Sequence, residues 1–323
     1  MFVLEGKIEI GDFVFRAIHD LSITKSIEML GDTCVIKLPT RFKVRQGNKL
    51  LFTEEVLKKG DDVKVTLSYQ GKYEGVEFIG KVSRIKTSFP LEVHCEDLMY
   101  VLKRKLIVKS WITSVTLKDI LQEITQGTEV AVAENIPEVT LDKYIIARKN
   151  GAQALEDLKK ELSLTAFIDD DNKLYCGLAQ STNFNQKAVY DLNYNLVENK
   201  LEFKTSDELK LKVRYEYIAP DNTRTQVEVG DENGDIRTFH TSVVSDPVKL
   251  SELATAELEK LKYDGYRGNI TSFLTPFATR GMTAVVMDST HPNRDGRYFI
   301  KKVTTTFGLQ GARRIVELGN KLS

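Results

Sequence analysis

The chain has 323 residues, enough for two or three domains with ample cores. Its 46 Lys and Arg balance 46 Asp and Glu, so no net charge draws it toward nucleic acid or an anionic membrane. With 41% hydrophobic and 28% charged residues it reads as folded rather than disordered. No apolar run approaches the ~20 residues that span a bilayer, and the opening MFVLEGKIEIGDFVF is strand-like and carries acids, unlike a signal peptide. Cys34, Cys95 and Cys176 are odd in number and far apart, which predicts buried thiols rather than a disulfide frame or zinc site, in a protein made in a cytoplasm.

The first hundred residues alternate with period two at Val3–Ile10, Cys34–Leu38, Val63–Tyr69, Val76–Ile85 and Leu91–Cys95. Turns are expected at Gln46-Gly47-Asn48, Lys59-Gly60-Asp61 and Gln70-Gly71. Glu96 to Leu102 reads as a short helix that leads into the basic cluster Lys103, Arg104, Lys105. In the middle, Thr116 can cap a helix bearing Leu117, Ile120, Leu121 and Ile124 on one face, with Gly127 at its end. A second helix starts near Asn150-Gly151 and aligns Ala154, Leu155, Leu158 and Leu162; Thr165–Ile168, a turn at Asp169–Asn172 and Leu174–Gly177 complete an α+β unit.

From about residue 195 the pattern is β again. Leu209, Leu211, Val213, Tyr215 and Tyr217 alternate, Pro220-Asp221-Asn222 turns, Val227 and Val229 mark the next strand, and Asn233-Gly234 signals a two-residue hairpin. One helix is expected from the Asp246 cap and Pro247, with Leu250, Leu253, Ala254, Leu258 and Leu261 inward and its stop at Gly265. Strands follow at Gly268–Phe273 and Ile315–Leu318. The fold class is therefore mainly β with an α+β insert: an N-terminal β-barrel-like module at 1–105, an α+β region at 106–192 and a C-terminal β-barrel-like module with one helix at 193–323.

The two β modules share a segment. Residues 60–83 and 281–304 align without a gap, 221 positions apart. They are identical at Gly60/Gly281, Val65/Val286, Ser68/Ser289, Gly75/Gly296, Phe78/Phe299, Ile79/Ile300, Lys81/Lys302 and Val82/Val303. Each copy reads as a strand after a glycine, a polar turn and a second strand carrying Phe-Ile-x-Lys-Val, a hairpin unit. The matched positions predict corresponding hairpins in two related modules.

No local motif carries catalysis or cofactor binding: there is no GxSxG, P-loop, GxGxxG opening a helix, HExxH or CxxC. Four histidines are present. His19 reads as a turn residue, His240 lies in a strand and His291 lies in a loop. In His94-Cys95-Glu96-Asp97 successive strand residues face opposite ways, whereas a metal needs converging ligands. Asp169-Asp170-Asp171-Asn172 lacks the glycine and distal glutamate of a calcium loop and fits a hairpin turn. Lys103–Lys105 and Arg313-Arg314 have no interleaved aromatics of the kind that stack bases, and read as solvated or inter-domain faces. No cofactor, metal or specific nucleic-acid contact is expected.

Three stretches in order resemble one family: residues 80–103 (GKVSRIKTSFPLEVHCEDLMYVLK), 151–177 (GAQALEDLKKELSLTAFIDDDNKLYCG) and 298–319 (YFIKKVTTTFGLQGARRIVELG). They are similar to hub proteins of contractile phage tails and related prophage elements, the family of late-control D proteins and type VI spike bases. The resemblance implies a non-enzymatic homotrimeric ring at the tip of the tail tube. Six β-barrels there would adapt a hexameric tube to a three-fold spike, with tube and spike proteins as partners and the virion tail or injection apparatus as destination. The chain ends soon after the second module, so spike or hydrolase regions would be separate chains. The alternatives are a tail-associated cell-wall-degrading enzyme, whose acids no motif singles out, and a generic β-module binding protein.

Overall fold

The computed structural model describes residues 3–43, 50–162, 164–178, 185–218, 223–241 and 246–322. The expected turns at Gln46–Asn48 and Pro220–Asn222 lie outside them. The fold is mainly β, with two related β-barrel-like modules flanking a small α+β region.

Thirteen strands join in one sheet, and we label them in chain order. The N-terminal module contributes β1 (Leu4–Ile10), β2 (Phe13–Phe15), β3 (Asp20–Ser26), β4 (Thr33–Leu38), β5 (Asp62–Tyr69), β6 (Tyr73–Lys86) and β7 (Leu91–Glu96). The C-terminal module contributes β8 (Lys187–Asp191), β9 (Leu196–Lys204), β10 (Gly265–Ser272), β11 (Thr283–Met287), β12 (Gly296–Gly308) and β13 (Gly311–Leu322). Their alternating side chains fill the cores, as in Ile8 and Ile10 on β1 and Val63, Val65 and Leu67 on β5, all almost fully buried.

Leaving aside the short β2, the two modules have the same topology. The N-terminal order is β1-β5-β6-β7-β4-β3 and the C-terminal order is β8-β11-β12-β13-β10-β9. In both, the first strand of the module lies beside the fourth, followed by the fifth, sixth, third and second. Only the first pairing differs: β1 runs antiparallel to β5, whereas β8 runs parallel to β11. The modules are fused through β3 and β12, antiparallel over seven facing pairs from Lys302–Ser26 to Gly308–Asp20. One edge of β12 is thus shared, by β11 near its start and by β3 over its second half.

Three hydrophobic clusters follow this plan. One fills the N-terminal module and also takes in Leu274 and Ala312 from the C-terminal one. One fills the C-terminal module around Tyr190, Ile270, Val286, Tyr298 and Val316. The third packs helices α1 (Leu117–Thr125) and α2 (Gly151–Leu162) onto the strands Thr165–Ile168 and Lys173–Gly177. Thr116 and Asp119 form a reciprocal capping box on α1, satisfying backbone donors that the first turn leaves open. Pairing and packing place the module limits differently from positions 105 and 192. Leu98, Met99 and Leu102 sit in the middle cluster, and β8 belongs to the C-terminal sheet through β11.

Two expectations are corrected. Asn233-Gly234 does not close a hairpin: the flanking strands Arg224–Gly230 and Asp235–Thr241 lie on opposite edges of Leu211–Ile218, antiparallel and parallel to it. The connection passes across the start of that central strand. A Cβ at Gly234 would stand 2.6–2.8 Å from Leu211 backbone atoms, and one at Gly230 (φ +126°) would stand 2.3 Å from the Leu211 carbonyl oxygen. The glycines serve this close crossing rather than a two-residue turn. Helix α3 (Pro247–Leu261) starts at the expected Asp246 cap but ends at Leu261, and Gly265 instead opens β10. Leu250 and Ala254 are its buried residues, while Leu253 is 39% exposed because the helix covers only a narrow three-stranded sheet.

Candidate functional site

The duplicated hairpins occupy the fourth and fifth strand positions of their modules, β5–β6 and β11–β12. Gly60 (φ +91°) and Gly281 (φ +83°) both take the left-handed conformation just before the first strand. Gly60 donates its N–H to Val82 O at 2.8 Å and Asp61 O accepts from Val82; Gly281 donates to Ile300 O at 2.9 Å and Met282 O accepts from Ile300. In space Val82 therefore corresponds to Ile300, an offset of 218, while the glycines keep the offset of 221. Asp62 faces Lys81, whereas Thr283 faces Phe299.

The second strands thus sit three residues out of step with the gapless alignment. Phe78 and Phe299 are both buried, as are Val82 and Val303, but Ile79 is 39% exposed and Ile300 fully buried. Gly75 lies inside β6, whereas Gly296 opens β12. Lys81 pairs with Asp62 at 2.8 Å and Glu129 at 2.9 Å, while Lys302 stands opposite Ser26 and Glu317. At the structural offset, RIKTSF at 84–89 lies over KVTTTF at 302–307.

Where the modules meet, two buried arginines bind them together. Arg314 on β13 forms a fork on Glu77, 2.8 Å to Oε1 and 3.1 Å to Oε2, and also donates to Thr305 Oγ1 and Ala278 O. Both partners are 2% exposed or less. Glu77 sits at a register shift between β5 and β6, where Val65 faces Phe78 and Thr66 faces Val76, so the extra residue turns inward. Despite burial, the Glu77 carboxylate holds the Arg314 guanidinium above its ordinary pKa. Tyr73 donates to Glu77 Oε1 at 2.5 Å, and burial followed by that neighbouring charge pushes its phenol up.

Arg280 joins all three parts. It donates to Asp32 Oδ2 at 2.6 Å, donates to the Ile168 carbonyl, and lies 4.6 Å over the Phe167 ring. Asp97 accepts from the Asp32 N–H at 2.6 Å and the Met99 N–H at 2.9 Å. Burial pushes Asp32 up to about 6 against the pull of Arg280, and burial with the Asp32 charge pushes Asp97 up to about 8. Lys25 reaches Asp170 in the 169–172 turn at 2.6 Å; although burial opposes it, Lys25 and Arg280 hold that carboxyl below its ordinary value. The Arg314–Glu77, Arg280–Asp32, Arg280–Ile168 and Lys25–Asp170 contacts each tie one part of the chain to another, while Asp97 braces Asp32 within the N-terminal module.

The remaining sequence candidates are placed similarly. Among the described residues, no group of three or more His, Cys, Asp or Glu side chains could hold a metal. His94, His240 and His291 lie beside Glu92, Glu216 and Asp288 at 3.3–3.5 Å. Lys103 pairs with Glu96, Arg104 lies over the Tyr100 ring, and Lys105 donates to the carbonyls of Glu123 and Gln126. Cys34, Cys95 and Cys176 are buried thiols whose pKa values burial raises. No described helix is long and apolar enough to cross a membrane. Arg314 belongs to the Arg313-Arg314 cluster expected at a solvated or inter-domain face, and it lies buried at the boundary between the modules; Arg280 carries no local signal, because a buried arginine looks like a surface one in sequence.

No family model matches the sequence, and no curated protein matches it. Solved structures do share the fold. The 43 kDa tail protein of prophage MuSo2 from Shewanella oneidensis superposes with TM-score 0.66 at 14% identity, over 97% of each chain. A tail protein from Neisseria meningitidis gives 0.65 at 16% identity, over 99% of this chain and 97% of that one. The E. coli c3393 protein, a component of the type VI secretion system, gives 0.60 at 11%, over 97% of this chain and 76% of that one. The chain has the fold of prophage tail and type VI spike-related proteins.

Proposed function

We propose that this protein is a structural hub of a contractile tail baseplate: a homotrimeric ring that adapts a hexameric tail tube to a trimeric spike. It would act by assembly rather than catalysis, with tube and spike proteins as partners in a virion tail or injection apparatus. The observation that carries the reading is the repeated six-strand order in one chain, on a fold shared almost end to end with prophage tail proteins. Two like modules per chain give a three-fold ring six similar positions. The buried pairs Arg280–Asp32 and Arg314–Glu77 each bridge two modules, a use of charge that suits a scaffold. Light scattering tests it: a trimer has three times the 36.6 kDa chain mass, and class averages would show a ring of six lobes. A monomer at every concentration, or release of peptidoglycan fragments by the purified protein, would count against it.

A further inference from the structure

Seven cations and no acid lie in residues 103–112 and 143–150, a local excess that the balanced charge of the whole chain hides. These stretches carry the strands Leu106–Trp111 and Tyr144–Asn150, which pair antiparallel as a two-stranded ribbon. Ile107, Tyr144 and Ile146 turn inward to the middle cluster. Alternation puts Leu106, Val108 and Ser110 on the other face, with Ile145 opposite Ser110, and Ile112 follows one residue past the strand. Leu106, Val108, Ile112 and Ile145 are 60–90% exposed. Strands apolar on both faces are ordinarily covered on both; here one face is bare among the described residues.

Cations frame that face. Lys103, Lys109 and Lys149 are matched by Glu96, Glu123 and Asp157. Arg104 and Lys105 donate to the backbone carbonyls of Tyr100, Glu123 and Gln126, which carry no net charge. Lys143 and Arg148 are exposed and form no ion pair among the described residues. Asp142 is the one acid adjoining either stretch in sequence. Because Leu106 faces Asn150 and Trp111 faces Tyr144, Arg104, Lys105 and Arg148 gather toward one end of the ribbon and Lys143 lies at the other. The aliphatic side chains stand between them, and half-buried Trp111 sits at the Lys143 end.

We propose that this face is a peripheral membrane anchor. Leu106, Val108, Ile112 and Ile145 enter the acyl boundary of an anionic bilayer while Arg104, Lys105, Lys143 and Arg148 meet its phosphates. The occupant is a negatively charged lipid surface, and the inference stands apart from the hub reading above. A second copy meeting the same face would set cation against cation. Apolar anchors of protein contacts seat in fitted pockets, and the groove beside the ribbon, lined by Leu30, Lys103, Arg148 and Gln153, takes in none of the four aliphatics. A bilayer needs no such fit. Apolar side chains raised between like charges, with an indole at the margin, match its interface. No described helix spans a membrane, so the contact is with the surface, where water still reaches the free backbone edges of the ribbon.

Trp111 is the only tryptophan of the chain, so its emission reports the contact directly. The test titrates the full chain with phosphatidylcholine vesicles, with and without phosphatidylglycerol, and with the same lipids brominated in their acyl chains. Expected are co-sedimentation with the anionic vesicles alone, quenching of Trp111 by the brominated chains, and a steep loss of binding as salt rises. Lys143→Glu/Arg148→Glu should weaken binding roughly tenfold or more. Val108→Ser/Ile112→Ser, at exposed positions, should keep the melting temperature, weaken binding several-fold and reduce the quenching. Binding that ignores both double variants, or equal binding to neutral vesicles, overturns the proposal. So does binding of soluble polyglutamate without binding of vesicles, which would assign the face to an acidic protein. Light scattering keeps the two readings apart. A trimer that leaves anionic vesicles untouched overturns the membrane contact alone, and a monomer that binds them overturns the hub alone.

Discussion

Arg314 and Glu77 face each other almost fully buried. Replacing one leaves the other charge buried without its counterion, a loss of about 3–5 kcal/mol. Arg314→Leu should therefore lower the urea midpoint sharply, and Arg314→Leu/Glu77→Leu should recover part of the loss. A double variant as unstable as the sum of the singles would show that the pair does not act as a unit. At the second cluster the sign of the pH response follows from Asp97. Its folded pKa of about 8 lies above the ~3.9 of an unfolded aspartate, so the folded chain holds the extra proton. That stability is complete below about pH 4 and is lost as pH rises through about 8. Asp32, raised to about 6 and paired with Arg280, adds its share below pH 6; Lys25 and Asp170 face the same cluster already paired. Between pH 6 and 8 unfolding free energy should fall by up to about 1.4 kcal/mol per pH unit. Urea titrations at pH 6, 7 and 8 would detect this, and Asp97→Asn should flatten the slope.

At the scale of elements, Gly60 and Gly281 are the best-matched features of the duplicated hairpins, because both need positive φ before the same strand. Alanine at either should cost about 1–2 kcal/mol, while the midpoints of the two variants move by similar amounts; a neutral effect at one would mean the two turns are held differently. Much of the secondary structure was legible for the same local reasons. Period-two runs gave β4, β5 and β7, and Thr116 and Asp246 capped α1 and α3 where side-chain chemistry demands it. What escaped was set by partners distant in sequence. β9 was not singled out because Glu198, Lys200, Glu202 and Lys204 dominate it and only the unevenly spaced Leu196, Leu201 and Phe203 mark its inner face. The crossing at Asn233-Gly234 depended on where the third strand would find a free edge, which no turn signal encodes. The three-residue slip of β12 against β6 was hidden by Phe-Ile-x-Lys-Val, whose identities align in sequence but not in space.

For the molecule as a whole, the sheet runs unbroken through both modules and each lends side chains to the other. Leu274 and Ala312 complete the N-terminal core, Tyr69 donates to the Ala312 carbonyl at 3.1 Å, and Arg314 reaches Glu77 across the boundary. Unfolding either module alone would expose the β3–β12 ladder and strand a buried charge, at a cost of several kcal/mol. The two β modules should therefore melt in one calorimetric transition, with calorimetric and van't Hoff enthalpies in agreement. Arg280 offers a way to separate the α+β region, because one guanidinium holds Asp32, the Ile168 carbonyl and the Phe167 ring together. Arg280→Leu should broaden or split the transition, with protection of amide hydrogens lost first in residues 117–125 and 151–162, while β3 and β12 keep theirs. Separate melting of the two β modules in the wild-type chain would mean that the shared sheet does not couple them.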